Sequence, residues 1–186
     1  PWHVKAPPRD HAPPVRLAAV FATRRTVEAA TYRREIARRA PATNVVQIAC
    51  PDLAARIEAG ADDDELAAMV RTFAARLRTR LNGAIPDATI LGCTHYPLVA
   101  EHFAAALPPG ARILSQPDVV ATALARYLAR HPEFAAGPSA RSGAVDVAFY
   151  TTGDTARIDP LATRFFGRPV RFTHLSHVPA ERRAAG

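Results

Sequence analysis

The sequence predicts an α/β protein with a mostly parallel sheet and helices on both faces. Short apolar runs, typical of strands buried on both faces of a parallel sheet, alternate with longer segments of helical spacing. The chain has 186 residues, 48% of them hydrophobic and 22% charged, which suits one medium domain or two small lobes and excludes a disordered or coiled-coil chain. No apolar run reaches the roughly 18 residues that a membrane span needs.

The position of these runs predicts the order of the elements. Strands are expected at 17–21, 44–48, 88–91, 112–114, 145–150 and 170–175. Helices are expected at 27–39, in a short segment ending near Gly60, after the acidic residues 62–65, and at 98–106, 119–130 and 156–166. The third of these helices has the clearest pattern, because five apolar residues repeat at helical spacing: Leu66, Met69, Val70, Phe73 and Leu77.

The charge and the cysteine content limit the partners and the cellular compartment that we expect for this chain. The net charge is +7, and Lys5 is the only lysine among 24 basic residues. The arginines interleave with acids or lie on helix faces, so they predict solvated surfaces, and nucleic acid is not expected as a partner. Two cysteines, Cys50 and Cys93, do not resemble a secreted disulfide framework and favour a reducing cytoplasm. The proline-rich residues 1–15 predict an extended lead-in.

The segment after the third strand combines a thiol, a hydroxyl and an imidazole. It reads Gly92-Cys93-Thr94-His95-Tyr96-Pro97 and lies between a buried strand and a helix start, where ligands bind in open α/β sheets. Free N–H groups there favour a thiolate, and the imidazole can exchange a proton with it. The alternative is a small buried cysteine whose neighbouring histidine closes a turn. Zinc is not expected, because Cys50, Cys93, His95 and His102 lack the usual ligand spacing.

The loop after the first strand contains two threonines. Thr23 and Thr26 are able to direct hydroxyls and backbone N–H groups at an anion. Thr26 also suits a helix N-cap, and spacing alone favours that interpretation.

Four segments carry a family resemblance. The run Leu91-Gly92-Cys93-Thr94-His95-Tyr96-Pro97-Leu98 resembles, residue for residue, the second-cysteine motif of glutamate racemases. The other segments resemble that family in the same order along the chain: Ala22-Thr23-x-x-Thr26-Val27 with Tyr32, Ala49-Cys50-Pro51…Leu53…Ile57-Glu58-x-Gly60, and Phe149-Tyr150-Thr151-Thr152-Gly153-Asp154. Racemases for aspartate or hydantoins usually lack a histidine at the place of His95, so the resemblance favours glutamate.

The resemblance implies one complete lobe and part of a second, pseudo-symmetric lobe. Residues 16–114 would form the complete lobe, 115–175 the return segment of the other, and 176–186 a tail. The family's D-S-G-x-G-G and C-N-T-A segments, the latter with the other catalytic cysteine, have no counterpart here, and Ser115-Gln116-Pro117-Asp118 replaces a familiar D-S-G. We therefore expect the C-terminal portion of a racemase, which lacks one catalytic base, with Cys50 as a structural residue.

The resemblance also implies roles for the site residues. Cys93 would act as base or acid on the face of the α-carbon that handles L-glutamate, His95 would assist its proton exchange, and Glu58 would orient or tune it. The substrate carboxylates and amine would be held by three threonines: Thr23, Thr26 and Thr94. No metal or other cofactor is implied.

The implied role is the supply of D-glutamate for peptidoglycan, with a second copy of the chain as a candidate partner. Two alternatives stay open at this point. One is a catalytically incomplete remnant or regulatory binding module whose basic surface contacts DNA or a nucleic-acid enzyme. The other is a sister racemase or decarboxylase with a different substrate.

Overall fold

The computed structural model describes residues 14–134 and 147–176. The chain divides into two compact units, Pro1–Pro132 and Glu133–Gly186. The described part of the first unit contains a four-stranded parallel sheet, and that of the second contains a two-stranded parallel sheet. The predicted α/β class with parallel strands is therefore confirmed. Most of the predicted lead-in and tail lies outside the described residues.

The elements follow the predicted alternation. In the first unit the strands are β1 (Leu17–Ala22), β2 (Asn44–Ala49), β3 (Ala88–Leu91) and β4 (Ile113–Leu114). Its helices are α1 (Arg24–Glu28), α2 (Thr31–Arg39), α3 (Leu53–Ala59), α4 (Asp63–Arg80), α5 (Ala100–Ala106) and α6 (Gln116–Arg130), with a 3₁₀ turn at Tyr96–Val99. The second unit contains β5 (Phe149–Thr151), α7 (Thr155–Phe166) and β6 (Phe172–His174).

The strand order of the first sheet is β2-β1-β3-β4. Across the sheet, the connection from β1 to β2 therefore runs in one direction and the connection from β2 to β3 runs in the opposite direction. Because crossovers between parallel strands are right-handed, this reversal puts α1 and α2 on one face and α3, α4 and α5 on the other. The order reverses between β1 and β3, which are paired with Phe21 beside Leu91. Ligands bind at such a switch point, outside the carboxyl ends of the strands.

The core lies between the sheet and the helices α4 and α5. The predicted apolar stripe of α4 is buried at Leu66, Val70, Phe73 and Leu77, while Met69 is half-buried. An aromatic cluster continues this core, with the ring centroid of Phe103 lying 4.9 Å from that of Phe21 and 5.9 Å from that of Tyr96. All three aromatic side chains of this cluster are fully buried: Phe21, Tyr96 and Phe103.

The structure corrects several predicted boundaries. The segment 27–39 forms two helices instead of one, because Ala30 adopts a left-handed conformation with φ of 52° between α1 and α2. Thr26 is not the N-cap. Thr23 caps α1, since its side chain accepts from the Thr26 N–H. Helix α6 begins at Gln116 instead of 119, with Pro117 in its first turn, where a missing N–H costs nothing.

Asp87 ties the start of β1 to the segment that leads into β3. Its Oδ2 accepts hydrogen bonds from the backbone N–H groups of Arg16 at 2.7 Å and Leu17 at 2.9 Å. These bonds stabilise the ionised carboxyl group and lower the pKa of Asp87. The carboxylate therefore stabilises the fold above the pKa of an unfolded aspartate, about 3.9, and this contribution is lost as the pH falls through the lower folded-state pKa.

We expect Asp87→Asn to lower the melting temperature at pH 7, and the difference from the wild type to shrink as the pH falls below about 4. The measurement is thermal unfolding followed by circular dichroism between pH 7 and pH 3. The control is Asp52→Asn, because Asp52 is exposed and its side chain does not cap α3. A constant difference across this pH range would contradict the role given to the Asp87 charge.

Candidate functional site

The two loops singled out in the sequence lie at the same edge of the sheet. Thr23 directly follows β1, and the segment from Gly92 to His95 directly follows β3. Because β1 and β3 are adjacent parallel strands, their carboxyl ends bring both loops to the switch point. The predicted candidate residues therefore meet at the place where this topology forms a binding crevice.

Gly92 allows the Cys93 loop to lie close to β1. Its N–H donates to the Phe21 carbonyl at 2.7 Å. A Cβ at this position would lie 3.0 Å from the Phe21 carbonyl oxygen and 3.0 Å from Cε2 of Tyr32. Since the nearest obstacle is backbone, a side chain here would displace the loop that carries the thiol.

Cys93, His95 and Glu58 form a chain of contacts. Sγ of Cys93 lies 3.7 Å from Nδ1 of His95, and Nε2 of His95 lies 2.7 Å from Oε1 of Glu58. A carboxylate only accepts hydrogen bonds, so Nε2 carries the proton, and in a neutral imidazole Nδ1 is then an acceptor. The acceptor nitrogen of His95 therefore faces the thiol and is placed to take its proton.

Helix α3 places Glu58 beside His95. Two residues close to Glu58 fix the C-terminal end of this helix and its contact with α4. Gly60 ends the helix in a left-handed conformation with φ of 78°, which glycine adopts without strain. Arg56, two residues before Glu58, donates two hydrogen bonds of 2.6 Å to the Glu65 carboxylate in the first turn of α4. These contacts hold α3 against α4 and set the direction from which Glu58 approaches the site.

The predicted substrate-binding threonines fall into two places. Thr23 and Thr26 contact each other, with 2.9 Å between their hydroxyl oxygens, and Thr23 also accepts from the Thr26 N–H at 3.4 Å. Thr94 is exposed beside Cys93. All three residues therefore lie on the two loops at the switch point, with Thr23 serving as a helix cap as well.

Cys50 lies in a different environment from Cys93. Its side chain is 2% exposed, and its Sγ lies 3.7 Å from the Ile48 carbonyl oxygen. Burial raises the pKa of the Cys50 thiol to about 12. The Tyr96 hydroxyl donates to the Cys50 carbonyl at 3.2 Å, which fixes the backbone there. A thiol that keeps its proton at neutral pH supports the interpretation of Cys50 as structural.

Sequence reasoning missed one contact at this edge of the sheet. Nε2 of Gln116 lies 3.0 Å from the Tyr32 hydroxyl oxygen and 3.0 Å from the Leu91 carbonyl oxygen. Tyr32 and Gln116 are 84 positions apart, and the sequence offers only one signal for the pairing, namely that Gln116 follows β4 at the same edge. The contact joins α2 and α6 to the last residue of β3.

Two further features concern metal ligands and membrane-spanning helices. Within residues 14–134 and 147–176, no group of three or more histidine, cysteine or acidic side chains is arranged to hold a metal ion. His102 instead pairs with Asp63, with 3.0 Å between Nε2 and Oδ1. No helix in the same ranges is both long and apolar enough to cross a membrane.

Curated relatives match the chain along almost its whole length. It is 43% identical to the glutamate racemase of Phenylobacterium zucineum over 173 residues, which is 92% of this chain. Identity is 40% to the glutamate racemase of Caulobacter sp. and 42% to that of Paracoccus denitrificans, again over 92% of this chain. The chain is homologous to glutamate racemases. It spans 59% of the length of each of these relatives. No protein-family model matches the chain.

Solved glutamate racemases share the fold. The enzyme from Bacillus anthracis aligns with a TM-score of 0.71 at 24% identity, covering 86% of this chain and 57% of the other. The enzyme from Francisella tularensis, solved in complex with D-glutamate, aligns with a TM-score of 0.72 at 20% identity, covering 87% and 58%. The Escherichia coli enzyme, solved with L-glutamate and the activator UDP-MurNAc-ala, has a TM-score of 0.57 at 24% identity, covering 81% and 55%. At this level of identity, the likeness establishes the glutamate racemase fold.

Proposed function

We propose that the chain provides the Cys93 side of a glutamate racemase active site, which interconverts L- and D-glutamate without a cofactor. The observation that carries this proposal is the contact chain from Cys93 through His95 to Glu58 at the switch point. The homology to glutamate racemases supports glutamate as the substrate.

The proposed chemistry is a proton exchange across the α-carbon. The Cys93 thiolate takes the α-proton of L-glutamate on one face, and an acid on the opposite face returns a proton, so that the configuration inverts. In the reverse direction the Cys93 thiol donates the proton. His95 takes the thiol proton through Nδ1 and returns it, and the Glu58 carboxylate stabilises the imidazolium that forms. The negative charge that develops on the substrate must be stabilised by donors at the site, and this supplies most of the rate.

The hydroxyl and N–H groups of three threonines are proposed to provide these donors and to hold the substrate carboxylates and amine: Thr23, Thr26 and Thr94. Their place on the two switch-point loops supports this role. The opposite face needs a second acid or base. Cys50 is unsuited to it because burial raises the pKa of its thiol to about 12. We therefore place that group outside the 186 residues and expect essentially no racemisation by this chain alone.

The assignment of 115–175 to another lobe also stays a proposal. Helix α6 contains no buried residue, although one face is apolar, with Val120 and Leu124 more than half exposed. The compact units divide later, after Pro132, so α6 is grouped with the first unit. Hydrogen exchange in the isolated chain is expected to be faster in 115–175 than in 16–114. Equal protection of both segments would contradict this division.

The proposed setting is the cytoplasm, where the enzyme would supply D-glutamate for peptidoglycan, with a homodimer as the proposed assembly. Both cysteines are free, and a reducing compartment would keep the Cys93 thiol in that state.

The test uses the full-length protein encoded by the gene. Circular dichroism progress curves from L- and D-glutamate, together with deuterium incorporation at the α-carbon, are expected to show racemisation in both directions without added cofactor. Conversion of aspartate instead of glutamate, or loss of carbon dioxide, would favour the sister enzyme. Absence of any turnover would favour the catalytically incomplete binding module.

We expect His95→Asn in the full-length protein to slow deuterium exchange on the Cys93 face by about a hundredfold, with a smaller effect on the opposite face. The reason is that asparagine cannot take the thiol proton. The matched control is His102→Asn, because His102 pairs with Asp63 instead of Glu58. Equal slowing of both faces would argue against a relay dedicated to Cys93.

A further inference from the structure

The side-chain amide of Gln116 has only one orientation that satisfies its neighbours. The Leu91 carbonyl oxygen accepts hydrogen bonds and cannot donate, so the Gln116 atom that lies 3.0 Å from it is the nitrogen, Nε2. The same nitrogen lies 3.0 Å from the Tyr32 hydroxyl oxygen. Both N–H groups of the amide are therefore used as donors, and the Tyr32 oxygen is an acceptor in this contact.

The hydroxyl proton of Tyr32 is consequently left to donate to another group. Within residues 14–134 and 147–176, the Tyr32 hydroxyl forms no second hydrogen bond to the protein. Partial burial, and then the nearby Cys93, raise the pKa of the Tyr32 hydroxyl, so it keeps this proton at neutral pH. This proton is therefore available to donate to solvent or to a bound ligand.

Tyr32 lies beside the proposed reaction centre. The position of a Cβ on Gly92, the residue before Cys93, would be 3.0 Å from Cε2 of the Tyr32 ring. The free O–H group is therefore at the same strand ends as the thiol.

We propose that Tyr32 is a substrate-binding residue whose O–H, oriented by Gln116, donates a hydrogen bond to a carboxylate of the substrate held at Cys93. The inference rests on the proposed function, because it takes an amino dicarboxylate as the ligand of this site. Gln116 is then a positioning residue. By donating to the tyrosine oxygen it fixes the direction of the Tyr32 hydroxyl and leaves the hydroxyl proton available for the anion.

The first test is glutamate binding by the full-length protein in the Cys93→Ser background, which is expected to slow racemisation by about 10³-fold or more. Tyr32→Phe removes the hydroxyl and keeps the ring that packs near Gly92. Because a hydrogen bond to a charged group is lost, we expect the dissociation constant measured by calorimetry to rise about tenfold or more. Tyr150→Phe is the matched control, since Tyr150 is exposed in the second unit and should leave binding unchanged.

The second test separates orientation from packing. Gln116→Met removes both donors at similar size and is expected to weaken glutamate binding about threefold, by releasing the Tyr32 hydroxyl from its fixed direction. In the Tyr32→Phe background the same change should have no further effect on binding. An equal loss in both backgrounds would mean that Gln116 acts through packing and would overturn its positioning role.

The outcomes distinguish this inference from the proposed function. Racemisation by the wild type with unchanged glutamate binding in Tyr32→Phe would overturn the inference alone. Failure of the wild type to racemise, with tight glutamate binding that Tyr32→Phe weakens, would overturn the proposed function and support the Tyr32 site. A lowered melting temperature of Tyr32→Phe without any change in binding would assign Tyr32 to the core and overturn the inference.

Discussion

Cys93→Ser is expected to reduce racemisation of both enantiomers by about 10³-fold or more in the full-length protein. A serine hydroxyl is far less acidic than a thiol, so near neutral pH it cannot replace the thiolate as the base that removes the α-proton. His95 does not compensate, because its Nδ1 faces Sγ at 3.7 Å and acts on the thiol proton. The measurement is the circular dichroism progress curve from each enantiomer.

In the Cys93→Ser variant the two directions of racemisation need not be slowed equally, because the acid or base on the opposite face of the α-carbon is unchanged. Slow α-proton exchange from one enantiomer, followed by deuterium incorporation, is compatible with the assignment. Cys50→Ala is the matched control and should keep turnover close to the wild type, since Cys50 is buried. Near wild-type turnover in Cys93→Ser, or abolished turnover in a folded Cys50→Ala variant, would refute the assignment of the two thiols.

Phe103→Ala is expected to lower the free energy of unfolding by about 3–5 kcal/mol, the usual cost of removing a buried aromatic ring and leaving a cavity. Phe103 is fully buried, and its ring packs against those of Phe21 and Tyr96. Urea denaturation followed by circular dichroism measures the change.

The control for Phe103→Ala is Ile85→Ala, because Ile85 is 56% exposed and its truncation should change stability by only about 0.5 kcal/mol. A similar loss of stability in both variants would show that the aromatic cluster is not the centre of the core.

The sequence predicted the parts of the fold that depend on local pattern. The runs at 17–21, 44–48 and 88–91 became β1, β2 and β3 because strands buried on both faces need continuous apolar residues. The break at Ala30 was missed, since alanine ordinarily continues a helix and only the surrounding structure holds it at a positive φ. The start of α6 was missed because an amphipathic pattern does not fix the first turn.

The candidate site also has a part that the sequence predicted and a part that it did not predict. Cys93 and His95 lie two positions apart, so one motif contains both, and the loop geometry places them in contact. Glu58 was predicted only through the family resemblance. Its position along the chain does not by itself show that α3 directs it at His95. Gln116 and Tyr32 were not predicted as partners, since 84 positions separate them and only tertiary packing brings them together.

The packing of Gly92 and Tyr96 limits which residues of this loop would mutate if selection for catalysis were relaxed. Gly92 is held by its close approach to Phe21, and Tyr96 by full burial and its bond to the Cys50 carbonyl, so both would persist as long as the lobe must fold. Cys93, Thr94 and His95 are partly or fully exposed, so their side chains do not fill the core. Mutation would therefore remove these three before the residues on either side.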